Sequence, residues 1–218
     1  MYDLIAKTLA ARQLDVIGGF HPSPDDPELA GLETVLLLGP SGAAFWDAFV
    51  TEPEFQDGTA NPVDRWSSRV ITALAVAFGA TPFFPFSGPP YAPFFQWALR
   101  TQRCHQSPIN LLVHDTPGLF VSFRGALGFR QRLDLPAPST TPCETCTDQP
   151  CRTACPVSAF DQGLYDVPAC KQALRATDPA HCLEKGCAAR RLCPVSQTYN
   201  RQEAQSAYHM KVFLENGT

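Results

Sequence analysis

The sequence predicts an α+β protein, with an N-terminal α/β domain built on a mostly antiparallel sheet and a small cysteine-rich domain behind it. Apolar runs of helical and strand-like pattern alternate in the first part of the chain. The composition then changes: eight of the nine cysteines lie between Cys143 and Cys193, while 18 aromatic residues precede Cys143 and only five follow it. We therefore expect an aromatic- and proline-rich domain at 1–134, a linker at 135–142 and a cysteine-rich domain at 143–218.

Periodicity predicts the first two elements. Leu4, Ile5, Leu9 and Leu14 recur at helical spacing and predict an amphipathic helix at the start of the chain. Residues 34–38 (TVLLL) form a short apolar run that ends at a Gly-Pro pair, which favours a buried strand.

A longer helix and a hairpin are predicted next. Asn61 is a typical N-cap, Pro62 suits the first helical position, and the apolar body that follows stops at Gly79. Further along, extended runs at 109–114 and 119–124 are joined by the turn sequence DTPG. A Pro-Gly pair between two such runs predicts a β-hairpin.

Residues 81–100 are rich in both aromatic residues and prolines. The prolines exclude one regular helix, and the rings need either burial or a flat ligand. Two interpretations remain open: a loop that packs into the core, or a wall for a planar or macrocyclic cofactor.

The cysteines after residue 142 fall into two blocks. The first reads C-x2-C-x4-C-x3-C-P, the second reads C-x4-C-x5-C-P, and both end in Cys-Pro-Val-Ser. One further cysteine, Cys170, stands between the blocks. The candidate metal ligands are Cys143, Cys146, Cys151, Cys155, Cys170, Cys182, Cys187 and Cys193.

Three chemistries are open for these eight thiols. Disulfides need an oxidising compartment, which the absence of a secretion signal argues against. Structural zinc uses two closely spaced cysteine pairs, and only Cys143 and Cys146 form one. An iron–sulfur cluster takes three thiolates from one tight turn and a fourth, followed by proline, from farther away. Compartment and spacing favour the cluster over zinc and disulfides.

The first block resembles that of a bacterial-type 4Fe–4S ferredoxin, except that its second gap is x4 where the ferredoxin pattern has x2. The second block resembles a divergent copy of it, stretched to gaps of x4 and x5. The resemblance implies a ferredoxin-like C-terminal domain with one or two 4Fe–4S clusters. In such ferredoxins the last cysteine of each block binds the other cluster. By this cross-over, one cluster would take Cys143, Cys146, Cys151 and Cys193, and a second would take Cys155, Cys170, Cys182 and Cys187.

The order of the domains is also similar to that of epoxyqueuosine reductase and the reductive dehalogenases, which hold cobalamin in the front domain. Residues 107–127 (SPINLLVHDTPGLFVSFRGAL) resemble a hairpin of the CblC-type cobalamin-processing proteins. These resemblances imply cobalamin as a second cofactor and a cobalamin-linked reductase activity. No side chain in the sequence is identified as a catalytic acid, base or nucleophile, so whether the protein is an enzyme stays open.

Charge and hydropathy limit the partners. The formal net charge is -4, which argues against a nucleic-acid binder. No apolar run approaches the length of about 20 residues that spans a bilayer. Asp3 and Lys7 interrupt the first apolar stretch, so we expect no signal peptide and a cytoplasmic protein.

Two functions follow from these observations. The first is single-electron transfer between a redox partner protein and a cobalamin-like cofactor or substrate. The alternative is a structural or binding module in which zinc or a cluster only stabilises the fold. Arg152, Arg190 and Arg191 lie within the cysteine blocks, where they would tune a cluster, dock an acidic partner or remain solvated.

Overall fold

The computed structural model describes residues 1–161 and 163–215. Gln162 and residues 216–218, which belong to the predicted C-terminal domain, lie outside the described residues. The chain forms two compact units. The front unit combines Met1–Cys104 with Ser122–Ser139, and the cysteine unit combines His105–Val121 with Thr140–Thr218. Residues 105–121 thus group with the cysteines, although they precede the predicted linker.

The described residues form six strands and ten α-helices. The strands are β1 (Leu14–Phe20), β2 (Thr34–Pro40), β3 (Thr81–Phe83), β4 (Cys104–Gln106), β5 (Leu112–His114) and β6 (Gly125–Phe129). The helices are α1 (Tyr2–Ala10), α2 (Ala44–Phe49), α3 (Pro53–Gln56), α4 (Pro62–Phe78), α5 (Phe94–Arg100), α6 (Val167–Ala176), α7 (Cys182–Lys185), α8 (Ala188–Arg191), α9 (Pro194–Tyr199) and α10 (Glu203–Glu215). None of these helices is long and apolar enough to cross a membrane.

The front unit is built on a four-stranded sheet in the order β1-β2-β6-β3, and every pair of neighbours is antiparallel. Strand β2 lies inside the sheet and all seven of its residues are buried, as its continuous apolar run predicts. Ile5 and Leu9 of α1 are also fully buried. The prediction of an α+β protein with a mostly antiparallel sheet is confirmed.

Helix α4 begins and ends close to the residues predicted from the sequence. It begins at Pro62, directly after Asn61, although the Asn61 side chain makes no capping hydrogen bond. It ends at Phe78, and the next residue, Gly79, has a φ of 63° in the left-handed region that glycine tolerates. The opening helix is also confirmed, except that Leu14 lies in β1. Three residues of left-handed or turn geometry separate the two elements, so the helical spacing of Leu14 was coincidental.

The prediction of a hairpin over 109–124 is wrong in its second half. The turn forms, because His114 and Gly118 exchange two backbone hydrogen bonds of 3.1 Å. Beyond Gly118 the chain turns again instead of extending, and β6 starts only at Gly125. The physical reason is the partner of Leu119: its N–H donates to Ser196 Oγ (2.9 Å), a side chain far along the sequence, and not to a neighbouring strand.

Phe83 and Phe94 of the segment 81–100 pack against Trp97, which is 1% exposed, whereas Tyr91 and Phe95 are 63% and 40% exposed. The Trp97 ring centroid lies 5.1 Å from that of Phe94, 5.5 Å from that of Phe83 and 6.1 Å from that of Phe20. This is the arrangement that the packing interpretation of the segment predicts.

The cysteine unit has a small core in which cysteines are prominent members. Ile109, Val113, Leu119 and Phe160 form the core together with the buried Cys151 and Cys193. Cys143, Cys155 and Cys187 pack against this cluster and are partly buried. The unit therefore folds around its thiols and not beside them.

Candidate metal centres

The eight candidate ligands lie in two groups of four, each around a cavity of its own. Site A consists of Cys143, Cys146, Cys151 and Cys193, around a cavity of about 200 Å³. Site B consists of Cys155, Cys170, Cys182 and Cys187, around a smaller cavity of about 30 Å³. These are the same two sets that the ferredoxin cross-over implies. Each set combines cysteines from both halves of the cysteine-rich sequence.

Site A is assembled from a loop, a short helical turn and the start of a helix. Cys143 and Cys146 lie in the loop, and Cys151 lies in a 3-10 turn that begins at Pro150. Cys193 is the extended N-cap of α9, because the next residue, Pro194, favours the first position of a helix. The Cys-Pro sequence thus places a thiol at the point where an extended chain becomes helical.

The segment 105–121 completes site A. Val113 and Leu119 line its cavity beside the thiols. Ser196, on the first turn of α9, accepts the Leu119 N–H at 2.9 Å and donates to the Pro117 carbonyl at 3.4 Å. This serine is the last residue of the second Cys-Pro-Val-Ser sequence, and it fixes the turn against the helix that follows Cys193.

The thiols of site A disfavour negative charge in the absence of a cation. Burial raises the pKa of Cys143 and of Cys151, and the charges of the neighbouring Cys193 and Cys146 thiolates raise both further. A metal cation reverses this balance, because it stabilises the thiolate form of every ligand at once.

Site B is assembled mainly from helix ends. Cys170 lies on α6, whose N-cap Asp166 accepts the Ala169 N–H at 2.9 Å. Cys182 is the first residue of α7, and Cys187 is the N-cap of α8. Cys155 lies directly before the turn at Pro156 and Val157, and Met210 of α10 lines the same cavity.

Several hydrogen bonds reach the sulfurs of site B. The Ala159 N–H donates to Cys155 Sγ at 3.4 Å, and the Tyr165 hydroxyl donates to Cys170 Sγ at 3.2 Å. Burial raises the pKa of Cys170, and the hydrogen bond from Tyr165 lowers it in part. Burial likewise raises the pKa of Cys182, and a hydrogen bond from the Ala188 amide opposes it. Such donors are the means by which proteins stabilise thiolates.

The two sites differ in how well they fit a cluster. A zinc ion holds its four sulfurs at about 2.3 Å, which draws them together and leaves no cavity between them. Site A instead surrounds about 200 Å³ with four thiols, and this space suits a cluster that binds each thiolate to a different iron. Site B offers the same donor set around less space. Within residues 1–161 and 163–215, no three His, Cys, Asp or Glu side chains lie close enough together to bind one and the same metal ion. A 4Fe–4S cluster does not require such a group, because its four cysteines bind four different irons.

Two of the three arginines of the cysteine blocks, Arg190 and Arg191, bind backbone carbonyls, whereas Arg152 donates to the side-chain oxygen of Gln149 at 2.6 Å. Arg190 donates to the Leu119 carbonyl at 2.5 Å, and Arg191 donates to the carbonyls of Ala180 (2.7 Å) and Gly186 (2.9 Å). Both side chains thereby brace the loops that carry the cysteines. These partners could not be predicted from the sequence, because carbonyl acceptors leave no pattern in it.

The structure also adds two residues that the sequence analysis missed, Ser196 and Tyr165. The repeated Cys-Pro-Val-Ser offered a signal for Ser196, because its two serines are equivalent in sequence. Only Ser196 is buried, at 1% exposure, whereas Ser158 is exposed in a turn. A lone tyrosine between the blocks offered no comparable signal.

Comparison of the chain with protein-family models, with curated proteins and with solved structures finds no match. Its function is therefore inferred from the chemistry of sites A and B.

Proposed function

We propose that the cysteine unit binds 4Fe–4S clusters in a ferredoxin-like arrangement, at site A and at site B, and that the protein transfers single electrons. The observation that carries this proposal is the grouping of eight thiols into two sets of four, each around its own cavity. The larger cavity supports site A by its size as well as its ligands. Site B is supported by its ligand set alone.

The chain's own residues supply the ligands and the surroundings. Each site offers four thiols, which is the ligand number of a 4Fe–4S cluster. A bound cluster of this kind takes up and releases one electron at a time. Val113 and Leu119 shield site A from water on one side. Cysteines of both sites lie in the packed core of the cysteine unit or against it, and such packing limits the rearrangement that accompanies electron transfer.

A redox partner would approach site A at the loop that carries Cys146. Glu144, Thr145, Thr147 and Asp148 of this loop are exposed, whereas Cys151 and Cys193 on the other side of the site are buried. Electron exchange falls steeply with distance, so the exposed edge of a cluster is where a partner protein docks.

A structural role for the metal is the second candidate, and the composition of the core favours it. Cysteines form much of the small core of the cysteine unit, so metal binding would contribute directly to its folding. This is the alternative predicted from the sequence, a structural or binding module that the metal holds together. It differs from the first proposal in having no redox change at working potentials.

The deciding experiment measures iron, acid-labile sulfide and zinc per chain after anaerobic purification and reconstitution. We expect about eight irons with matching sulfide for two clusters, and about four for a cluster at site A alone. Zinc without sulfide would overturn the electron-transfer proposal in favour of the structural one. The visible spectrum of the same sample tests the prediction of cobalamin, since a corrinoid has bands that a cluster lacks.

Matched cysteine variants assign the iron to the two sites. Cys146→Ser removes a ligand of site A, and Cys182→Ser removes one of site B. We expect each variant to lose about half of the iron of the two-cluster protein. Cys104→Ser is the control, because Cys104 is buried in the front unit and belongs to neither site. Equal iron in all three variants would contradict the ligand assignment.

A further inference from the structure

Tyr165 is held in a fixed position beside site B. Its ring stacks on Phe160, with centroids 4.7 Å apart and an interplanar angle of 19°, and on Phe213 of α10, with centroids 6.0 Å apart and an angle of 17°. The ammonium group of Lys171 lies 5.1 Å from the Phe213 ring centroid and extends the stack. Because packing fixes the ring, the direction of its hydroxyl is fixed as well.

That hydroxyl donates to Cys170 Sγ at 3.2 Å. Cys170 and Phe160 both line the site B cavity, so the hydrogen bond and the stack meet at one wall of the site. Most hydrogen bonds to cysteine sulfur in proteins come from backbone amides, which no side-chain substitution removes. Here the donor is a side chain that can be altered by a single atom.

We propose that the Tyr165 hydroxyl sets the reduction potential of the cluster at site B through its hydrogen bond to Cys170. This inference rests on the proposed function. Reduction adds one electron from an external one-electron reductant, breaks no bond and makes the ligand sulfurs more negative. A donor to a ligand sulfur stabilises the more negative form and so raises the potential. The Asp178 carboxylate, which accepts the N–H groups of Cys182 (2.7 Å) and Leu183 (2.8 Å), acts in the opposite direction.

The test is a mediated redox titration of the full-length, reconstituted protein and of Tyr165→Phe. This substitution keeps the ring stack and removes only the hydroxyl. We expect iron and sulfide to be unchanged and one of the two potentials to fall. The expected fall is about tenfold in the equilibrium constant for reduction, which is about 60 mV for a one-electron couple. The second potential serves as the internal reference. Tyr91→Phe, which alters a tyrosine 63% exposed in the front unit, should shift neither.

A second substitution tests the opposite sign. Replacement of Tyr165 by 3-fluorotyrosine makes the hydroxyl more acidic and therefore a stronger donor, so the same potential should rise. The 3-fluorotyrosine measurement tests the role of Tyr165 if Tyr165→Phe fails to retain iron.

The outcomes separate this inference from the proposed function. Full iron and sulfide with both potentials unmoved in the Tyr165 variants would overturn the role of Tyr165 and leave electron transfer standing. If the unmodified protein binds only about four irons and Cys182→Ser retains them, site B binds no cluster. This result would also overturn the role of Tyr165. Zinc without sulfide in the unmodified protein would overturn both.

Discussion

Gly118 shows how closely a single residue governs the surroundings of site A. It has a φ of 58°, in the left-handed region, at the end of the turn that follows β5. A Cβ at this position would lie 2.6 Å from the backbone nitrogen of Ser196 and 2.7 Å from its Oγ. The helix that follows Cys193 therefore packs directly against the backbone of this turn.

We predict that Gly118→Ala destabilises the cysteine unit by more than about 2 kcal/mol, since the clash with Ser196 adds to the strain of a left-handed alanine. Chemical denaturation followed by the visible absorbance of the reconstituted protein measures the loss. Gly163→Ala is the matched control: its φ is 76°, but the atom nearest to its added Cβ is 3.8 Å away. We expect it to lose only about 1 kcal/mol. Equal losses would show that backbone strain, and not contact with Ser196, decides the effect.

The residues of the two sites differ in how far the sequence predicts them. Spacing singled out seven of the eight cysteines, because a cluster draws several ligands from one short stretch and so leaves a local pattern. Cys170 stands alone between the blocks, and only the ferredoxin cross-over implied it as a ligand. Tyr165 acts through a contact with Cys170, and Ser196 acts through contacts with Leu119 and Pro117. Such contacts follow from the tertiary fold, and no repeat or periodicity in the chain announces them.

Helices α3 and α4 of the front unit are joined by charge. Arg69 of α4 donates to Glu54 of α3 at 2.5 Å and to Glu52 at 2.6 Å. The Glu54 side chain is only 11% exposed, whereas that of Arg69 is 49% exposed. The hydrogen bond from Arg69 lowers the pKa of Glu54, against the effect of burial.

We predict that this pair makes the stability of the front unit pH-dependent. Because the pKa of Glu54 is lower in the folded chain than in the unfolded one, its contribution is present above the ordinary glutamate pKa of about 4.3 and is lost as the pH falls below it. Glu54→Gln should cost about 1 kcal/mol near pH 7, a value reduced by the exposure of Arg69, and less near pH 3. Urea denaturation followed by tryptophan fluorescence reports on this unit, since all three tryptophans lie in it.

The exposed Asp47 of α2 provides the control for that measurement. Asp47→Asn should leave the free energy of unfolding nearly unchanged at both pH values. A loss in Glu54→Gln that is the same at pH 3 and pH 7 would contradict the ionic origin of the effect.

Elements were predictable where their signals are local. Helix α4 carries its own start and stop in Asn61, Pro62 and Gly79, and it was predicted to within a residue. The strand expected at 119–124 had an equally good local pattern, yet it does not form. The Leu119 N–H that would have joined a ladder is bound instead by Ser196. Competition between a local pattern and a contact 77 residues away cannot be settled from the pattern alone.

At the scale of the whole molecule, the chain passes between its two units more than once. It leaves the front unit after Cys104, returns at Ser122 and leaves again after Ser139. Composition marks only the last of these passages, because residues 105–121 contain no cysteine. The contacts of Leu119 with Ser196 and Arg190 place this segment within the cysteine unit.

This interleaving predicts that the cysteine unit stays attached when the chain is cut at the linker. Residues 136–138 are exposed, so a protease site inserted between Ala137 and Pro138 should be cleaved in the folded protein. The C-terminal piece should then elute with the rest of the chain in gel filtration, because residues 105–121 remain packed within the cysteine unit while still joined to the front unit. Leu119→Asp, which places a carboxylate at a position 1% exposed, should release the piece after the same cut. If the two pieces separate after the cut in the protein that retains Leu119, residues 105–121 are not held by the cysteine unit. That result would favour the boundary near residue 143 that composition alone predicts.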